Sequence, residues 1–413
     1  MIIVDMFSGG GGLSEGFFRS GYDFVSHIEM NHHASKTLET RALYHLLKDK
    51  KDYYAYLKDE ISRDQLFNEN SDLSKESLES VINEEISAET KVQIINKVKN
   101  KMDEKGINKI DGIIGGPPCQ AYSIMGRSRS PDCMSSDPRN YLYKHYIEFL
   151  KEFNPDFFIF ENVPGMRSAK KGLILKDFKN QVIKLGYTPE SMILNAEHFN
   201  VLQSRKRLII VGHKKGSVFF ETISPDINEK YYVDSILDDL PSLIPGEGTD
   251  SFQAYEKEKI NAYLRDFQIR TEKDVLIHHQ ARRHNEIDRQ IYRMAIKKWN
   301  DEQRRIKYGE LPEELKTHKN RKSFEDRFKV VAGNSKSSHT IVAHISKDGH
   351  YYIHPDINQA RSITVREAAR IQSFPDNYKF EGPRTSKYVQ IGNAVPPLMA
   401  EKLAEKIKEF IND

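Results

Sequence analysis

Short runs of apolar residues alternate with longer stretches of helical periodicity through the first half of the chain. The apolar runs are continuous, which is typical of strands buried on both faces, and the stretches between them place apolar residues every three or four positions. This alternation predicts an α/β fold built on a doubly wound, mostly parallel sheet. The predicted strands are 2–7, 25–29, 110–114, 157–160 and 208–211, and helices are predicted from about Leu13, over 140–153 and over 171–185.

Two segments interrupt this rhythm. Residues 45–108 are rich in Lys, Glu, Asp and Asn and show sparse helical periodicity, which predicts a mostly helical insertion on the rim of the sheet. Residues 213–360 are polar and basic, and their pattern changes from helical over 255–310 to short strands over 339–345 and 350–353. This second segment predicts a separate, smaller domain of mixed structure.

The length of 413 residues suits one large domain with a smaller one. We predict a first domain over 1–212 that is completed by 385–413, where apolar residues at helical spacing, such as Leu403 and Ile407, indicate a helix that docks back onto the sheet. The second domain and its hinge are predicted over 213–384.

The charge of the chain is nearly balanced, with a formal net charge of +3. This balance neither requires nor excludes a nucleic acid partner, so the local distribution matters more. Residues 281–298 carry six Lys or Arg residues against two acids. Two interpretations stay open for this stretch, namely a solvated helix face and a surface that faces nucleic acid phosphates.

Cysteine content and hydropathy predict a cytoplasmic protein. Only Cys119 and Cys133 are present, and the sequence holds no apolar run of about 18 residues, so no membrane partner is expected. The chain starts directly in a strand-like run without a basic leader, which argues against secretion. The histidines lack thiolate or carboxylate companions at ligand spacing, so no metal is expected.

The segment GGPPCQ at 115–120 displays one thiol at the end of a predicted strand. Its two glycines permit a tight turn and its two prolines fix two φ angles, which makes the loop stiff. Open α/β sheets bind their ligands at the carboxyl ends of strands. Because a nucleophile needs such a mounting and a structural cysteine does not, Cys119 is a candidate nucleophile.

A glycine-rich turn, DMFSGGGGL at 5–13, joins the first predicted strand to a helix. Such a turn brings backbone N–H groups and a helix N-terminus close to a ligand. Glu29 ends the next strand, where a carboxylate can bond ribose hydroxyls. Together they indicate an adenosine-containing cofactor, and the absence of a P-loop lysine argues against ATP hydrolysis.

Three further blocks carry candidate polar groups. Glu161 follows the apolar strand 157–160, where desolvation is expected to raise its pKa and let it donate or share a proton; the alternative is a structural acid that caps the next turn. The block QSRKR at 203–207 precedes another strand, and its alternative is a surface basic cluster. The block QIGNAVPP at 390–397 is a glycine turn that enters the last helix.

Six blocks in this order resemble the cytosine-5 DNA methyltransferases of the restriction-modification type: FSGGGG, GGPPCQAYS, FENV, QSRKR, RSITVREAARIQSFPD and QIGNAVPP. The blocks lie between residues 5 and 397 and leave 45–108 and most of 213–338 uncovered. The resemblance implies the S-adenosylmethionine-dependent methyltransferase fold, with 213–384 as target-recognition domain and hinge. It also implies transfer of a methyl group to carbon 5 of a flipped-out cytosine in a specific duplex DNA sequence.

The resemblance implies four catalytic residues. Cys119 would attack carbon 6 of cytosine, because carbon 5 becomes nucleophilic only after a group has added at carbon 6. Glu161 would contact ring nitrogen 3 by hydrogen bonding or protonation. Arg205 would contact the flipped base and hold the site geometry, and Arg207 would support the base and a nearby phosphate.

The implied cofactor is S-adenosylmethionine, with S-adenosylhomocysteine as product and no metal. Phe7 would lie against the adenine, and Glu29 would hold the ribose. The acid that contacts the adenine amino group is either Glu85 or Asp72. The full implied pocket comprises Phe7, Gly9, Gly11, Glu29, Met30, Leu142, Asn393 and Val395.

The implied partner is double-stranded DNA, from which the target base must be rotated out before it can react. The loop 121–139 holds small and basic residues and is expected to close over DNA. Thr340 matches the family's threonine near the flipped nucleotide. The implied DNA contacts are Gln120, Ser123, Arg127 and Thr340.

Two other functions stay open at this stage. One is a tRNA cytosine-5 methyltransferase of the same fold, although a variable domain of this size exceeds what reading tRNA shape requires. The other is a catalytically silent DNA-binding homologue, against which the presence of both Cys119 and Glu161 argues. We expect a monomer associated with the bacterial nucleoid, and a cognate restriction endonuclease that acts separately stays an open partner.

Overall fold

The structure is a computed structural model that describes residues 1–118, 142–216, 218–226 and 230–412. Among these residues, no helix is long and apolar enough to cross a membrane. The strands are β1 Ile2–Met6, β2 Asp23–Ile28, β3 Val81–Ile82, β4 Gly112–Gly115, β5 Phe157–Asn162, β6 Thr188–Asn195, β7 Gln203–Ser204, β8 Lys206–His213, β9 Gly248–Thr249, β10 His279–Gln280 and β11 Ser338–His339.

Helices surround these strands along the chain. The α-helices are α1 Gly12–Arg19, α2 His32–Leu46, α3 Lys51–Leu57, α4 Arg63–Glu69, α5 Ser71–Glu79, α6 Lys91–Glu104, α7 Leu142–Phe153, α8 Leu173–Lys184, α9 Ala262–Asp266, α10 Glu286–Glu302, α11 Arg321–Phe324, α12 Val365–Ile371, α13 Arg384–Asn393 and α14 Pro397–Asn412. Short 3-10 helices span Pro164–Arg167, Ala169–Gly172, Ala196–His198, Phe220–Thr222, Val233–Ile236, Tyr308–Glu310, Glu313–Leu315 and Ala343–Ser346.

In the described part of the chain, seven strands form one sheet in the order β3-β2-β1-β4-β5-β8-β6. The pairs from β3 to β5 are parallel, whereas β8 runs antiparallel to both of its neighbours. The predicted doubly wound, mostly parallel α/β sheet is confirmed. The reversal of β8 follows from its short connection to β6, since antiparallel neighbours need no crossover helix.

Strand β5 shows why the sheet is buried on both faces. Phe157 and Ile159 pack into the apolar cluster on one face, which also receives the C-terminal helix α14. Phe158 and Phe160 pack into the cluster on the other face, with α7 and α8. Since successive side chains of a strand point to opposite faces, a continuous apolar run is what a central strand requires.

The segment 45–108, predicted as a mostly helical insertion, also contributes to the sheet. It contains β3, which pairs with β2 at the edge of the sheet, and α6, whose Ile94 and Val98 are buried in the same cluster as Phe158. Only α3, α4 and α5 lie outside this strand–helix unit. The sequence did not predict β3 and α6 as part of the sheet layer, because β3 is two residues long and charged residues surround it. Neither strand nor helix periodicity is therefore visible there.

The region 213–384 is less regular than predicted. The helical stretch 255–310 contains two helices, α9 and α10, and the predicted strands over 339–345 and 350–353 reduce to β11, a 3-10 helix and isolated bridges at Ile353. Strand β6 was not predicted, because its outer positions are polar. The boundary at residue 213 stays a prediction, since residues between 219 and 269 share a core cluster with β5.

Candidate active site

The loop after β4 runs directly against the end of β5. Gly115 has φ +137°, and a Cβ there would lie 1.9 Å from the Met6 carbonyl oxygen. A Cβ on Gly116 would lie 2.2 Å from the carbonyl oxygen of Glu161 and 2.7 Å from its Oε2. Glycine is therefore required at both positions, and their absence of side chains lets the loop approach the Glu161 carboxylate.

The same loop is tied down one residue later. The side-chain amide of Asn162 donates to the Pro117 carbonyl oxygen at 3.2 Å. Residues 116–117 are thereby held beside Glu161, two residues before Cys119. The predicted site residues Cys119, Gln120, Ser123 and Arg127, together with Cys133, lie outside the described residues.

Glu161 forms an ion pair with Arg207. The Arg207 Nε atom lies 2.7 Å from Glu161 Oε1, and the two side chains are only 11% and 14% exposed. A second Arg207 nitrogen, Nη1, donates to the Lys206 carbonyl oxygen at 2.8 Å. Two members of the predicted catalytic set therefore meet where β5 ends and β8 begins, and the guanidinium offsets the cost of burying the carboxylate.

Arg205 takes a different position, because its side chain is wholly buried. Its Nη1 donates to the Ile341 carbonyl oxygen at 2.5 Å and its Nη2 to the Gly392 carbonyl oxygen at 2.9 Å. These bonds tie the start of β8 to residue 341 and to the last turn of α13. Both predicted roles of Arg205 stay predictions, and a contact with the base would require its side chain to leave these carbonyl groups.

Thr340 is anchored next to this clamp. Its Oγ1 donates to the Ser204 carbonyl oxygen at 2.6 Å, and the neighbouring Ile341 N–H donates to the Gln203 side chain at 2.8 Å. Strands β7 and β11 pair in parallel at the same place. The blocks at 203–207 and 338–341, which are far apart in the sequence, therefore form one wall of the site.

The predicted cofactor residues gather at the ends of β1 and β2. Glu29 accepts hydrogen bonds from the Gly9 N–H at 2.8 Å and from the Asn31 N–H at 2.7 Å. Burial raises the pKa of Glu29, and the two N–H groups act in the opposite direction. Phe7 is half-buried at φ +58°, a strained conformation for a non-glycine residue, and Met30 is 58% exposed.

The glycines of the turn differ in what they face. A Cβ on Gly9, at φ +55°, would meet nothing within 4 Å, so Gly9 borders open space. A Cβ on Gly11, at φ +77°, would lie 2.4 Å from the Tyr378 hydroxyl oxygen, which itself donates to the Gly10 carbonyl at 2.9 Å. Gly9 fits the predicted approach of a ligand, whereas Gly11 is needed for packing against Tyr378.

We expect Gly11→Ala to lower the free energy of unfolding by about 2–4 kcal/mol, because it adds overpacking to an unfavourable positive φ. Gly106→Ala is the matched control, since Gly106 has φ +63° and open space around its Cβ position. It should lose only about 1 kcal/mol. Urea unfolding of both variants measures the difference, and equal losses would show that Tyr378 yields without cost.

The remaining predicted pocket residues lie on α7, on α13 and in the turn before α14. Val395 is buried, and a Cβ on Gly12 would lie 2.2 Å from its carbonyl oxygen, so the residues before α14 touch the start of α1. Asn393 is the exposed last residue of α13, and Leu142 is the half-buried first residue of α7. The chain thus returns to the glycine turn from its C-terminal end, as the order of the blocks predicts.

Sequence reasoning missed Asn83, which follows β3. Its side-chain amide donates to the Glu29 carbonyl oxygen at 2.9 Å. The choice between Glu85 and Asp72 as the acid that contacts the adenine amino group stays a prediction. Asp72 lies in the first turn of α5, and the Glu85 carbonyl oxygen accepts a hydrogen bond from the Thr90 hydroxyl. The missing signal was β3 itself, because only its pairing with β2 brings residue 83 to this edge.

Four of the six basic side chains in 281–298 have partners within the protein. Arg282 is buried and donates to the Ile345 carbonyl oxygen. On α10, Arg289 and Arg293 pair with Glu286 at 3.2 and 3.0 Å, and Lys298 pairs with Glu302 at 2.6 Å. The structure therefore favours the solvated helix face for these positions. Within the described ranges, no three His, Cys, Asp or Glu side chains group as metal ligands.

The fold and the site together define a class. A glycine turn after β1, an acid after β2 and one reversed strand between β5 and β6 are the architecture of a Rossmann-like methyltransferase. The chain belongs to the C-5 cytosine-specific DNA methylases, whose family model matches residues 75–409.

Relatives agree with this assignment. The chain is 42% identical to the type II methyltransferase M.Bpa9945I of Bacillus paralicheniformis, over all of this chain and 99% of that protein. It is 32% identical to M.DdeI of Desulfomicrobium norvegicum, over all of this chain and 90% of that protein. A solved prophage-encoded DNA modification methyltransferase of E. coli shares the fold, with a TM-score of 0.67 at 24% identity and full coverage of both chains.

Proposed function

We propose that this protein methylates carbon 5 of a flipped-out cytosine in a specific duplex DNA sequence through a covalent Cys119 adduct. The observation that carries the proposal is the approach of Gly116 to Glu161 and the 2.7 Å pair of Glu161 with Arg207. It supports one site in which a thiol and a carboxyl group act on the same base. Membership of the family indicates the reaction, and Cys119, Glu161 and Arg207 are the residues that we propose carry it out.

The proposed chemistry begins with the thiolate of Cys119, whose sulfur forms a bond to carbon 6 of cytosine. The electrons of the 5,6 double bond move through the ring to nitrogen 3, which takes up a proton that the Glu161 carboxyl group delivers. Carbon 5 thereby becomes nucleophilic and accepts the methyl group, with S-adenosylhomocysteine as the leaving product. Water takes the proton from carbon 5, the proton on nitrogen 3 returns to Glu161, and departure of the thiolate restores the 5,6 double bond.

S-Adenosylmethionine, the proposed donor, supplies an electrophilic methyl group when bound. The donor set at the strand ends fits its nucleoside. The Glu29 carboxyl group accepts the Gly9 N–H beside the open space at Gly9, and the half-buried Phe7 precedes Gly9 by two residues. The proposed pocket consists of Phe7, Gly9, Glu29, Met30, Leu142, Asn393 and Val395. Gly11 contributes by its close packing against Tyr378.

We expect Glu29→Gln to weaken binding of S-adenosylhomocysteine about 10- to 100-fold, because a neutral amide forms weaker hydrogen bonds to hydroxyl groups than a carboxylate does. Glu60→Gln is the control, since Glu60 is 60% exposed beside Lys58. Isothermal titration calorimetry measures both affinities. A change below about twofold for Glu29→Gln would remove Glu29 from the ribose site.

Transfer of labelled methyl groups to duplex DNA and to tRNA tests the proposed function, and bisulfite sequencing of DNA from cells that express the chain locates the product. We expect methylated cytosines in one duplex sequence. Activity on tRNA alone would support the tRNA enzyme instead, and DNA binding without methyl transfer would support a silent homologue.

We also propose that the protein is a cytoplasmic monomer in which 213–384 is the recognition domain, and that any cognate endonuclease is a separate protein.

A further inference from the structure

Helix α3 carries three tyrosines whose hydroxyl groups each reach a distant part of the chain. Tyr53 donates to the Asn377 carbonyl oxygen at 2.8 Å, and Tyr56 donates to Glu381 Oε1 at 2.8 Å. Tyr54 donates to Asp274 Oδ1 at 3.1 Å. The acceptors fall in two segments, 376–381, here called the crossover segment, and 274–277, here called the docking loop.

The docking loop also packs its apolar side chains against the insertion. Val275 and Ile277 are buried in a cluster whose other buried members come from α2 to α4. Those members are Leu43, Leu47, Tyr53, Tyr56, Leu57, Leu66 and Phe67. The insertion therefore holds part of the 213–384 region by burial as well as by hydrogen bonds.

The crossover segment touches both functional parts of the molecule. On one side, the Tyr378 hydroxyl donates to the Gly10 carbonyl oxygen of the glycine turn at 2.9 Å. On the other side, the Phe380 N–H donates to His278 Nε2 at 3.1 Å, and the Asp376 N–H donates to the Ile269 carbonyl oxygen at 2.7 Å. A shift of this segment would therefore move the region 269–278 relative to the glycine turn.

Both ends of the crossover segment are held from the α2 side too. Glu381 accepts from the Thr40 hydroxyl at 2.8 Å, and its N–H donates to Thr37 Oγ1 at 2.8 Å. The Asn377 side chain accepts from Arg41 at 2.9 Å and donates to Asp274 at 3.0 Å. Asp274 of the docking loop accepts from both Tyr54 and Asn377, and Glu381 of the crossover segment accepts from both Tyr56 and Thr40. These shared acceptors couple the positions of the two segments.

We propose that Tyr53, Tyr54 and Tyr56 are positioning residues that set the orientation of the 213–384 region over the site. The proposal rests on the proposed DNA-recognition role of that region. It gives the insertion a role, because α3 and α4 would add a second attachment to a region that also shares a core cluster with β5. None of the three tyrosines has a described contact with Glu161, Arg207 or Glu29, so the chemical step itself should be independent of them.

The test uses the full-length protein with all three tyrosines changed, Tyr53→Phe with Tyr54→Phe and Tyr56→Phe, which keeps the rings and removes the hydroxyls. One lost hydrogen bond corresponds to about 2- to 12-fold in an equilibrium. We expect KM for cognate duplex DNA to rise about tenfold, methylation of near-cognate sites to increase relative to the cognate site, and kcat to stay within about twofold.

Tyr44→Phe is the matched control, because Tyr44 packs on the same cluster and no described residue hydrogen-bonds its hydroxyl. It should leave KM, kcat and site preference unchanged. A role in stability alone would lower the active fraction and hence apparent kcat while leaving KM unchanged, and that result would overturn the proposal.

Two further outcomes are distinguishable. If the triple variant does not fold, Tyr54→Phe alone, at a half-buried position, should still raise KM for DNA about threefold, and an unchanged KM would contradict the proposal. If the wild-type protein methylates no DNA while it binds S-adenosylhomocysteine, the proposed function fails. If wild type methylates DNA and the triple variant matches it in KM and site preference, only the positioning inference fails.

Discussion

Replacement of Cys119 by serine is expected to lower methyl transfer about 10⁴-fold or more while DNA binding persists. A thiol has a pKa of about 8.5, so a useful fraction is thiolate near neutral pH, whereas a serine hydroxyl is far less acidic and needs a strong general base. Binding should persist because most protein–DNA affinity comes from phosphate contacts, which this change leaves in place.

Single-turnover methyl transfer and a DNA-binding titration measure the two properties separately. Cys133→Ser is the control, since it removes the only other thiol of the chain. It should retain wild-type rates. Methylation that survives in Cys119→Ser, or that disappears in Cys133→Ser, would show that the nucleophile has been assigned to the wrong residue.

Replacement of Glu161 by glutamine is expected to lower kcat by about 10²–10⁴-fold, the usual contribution of general acid–base assistance. The amide cannot donate a proton to ring nitrogen 3 as a carboxylic acid does. It also leaves Arg207, which lies 2.7 Å from the carboxylate, without its charged partner. Affinity for S-adenosylhomocysteine should stay within a few-fold, because the proposed cofactor pocket does not include Glu161.

Rapid-quench kinetics at saturating DNA and cofactor isolates this chemical step. Glu152→Gln, at the exposed end of α7, is the control and should match wild type. Arg207→Lys should give an intermediate loss, because lysine keeps the charge but cannot reproduce the position of Nε. A kcat within about fivefold of wild type for Glu161→Gln would instead favour the structural interpretation of this acid.

The central strands were predictable because their evidence is local. In β5, Phe157, Phe158, Ile159 and Phe160 follow one another without a polar residue, and a run of this kind has few alternatives to a strand buried on both faces. The glycine turn after β1 and the acid after β2 are equally local. Strand β3 escaped notice because two residues carry too little pattern to separate a strand from the charged residues around them.

The site residues divide in the same way. The residue types at Glu161 and Arg207 follow from their blocks, but their pairing depends on the antiparallel register of β5 with β8, which no local pattern specifies. Arg205 and Arg207 look equivalent in the sequence. In the structure, Arg205 is wholly buried against backbone carbonyl groups, whereas Arg207 meets the Glu161 carboxylate.

By itself, the sequence determined the central strands of the sheet, the glycine turn, the motif order and hence the family of this protein. The tertiary structure decided which side chains meet: Asn83 with Glu29, Gly11 with Tyr378, and the tyrosines of α3 with partners 220 to 325 positions away. The physical reason is the separation along the chain of the residues that interact. Backbone periodicity arises between neighbours and is visible in a short window, whereas a hydrogen bond between distant segments exists only after the chain has packed.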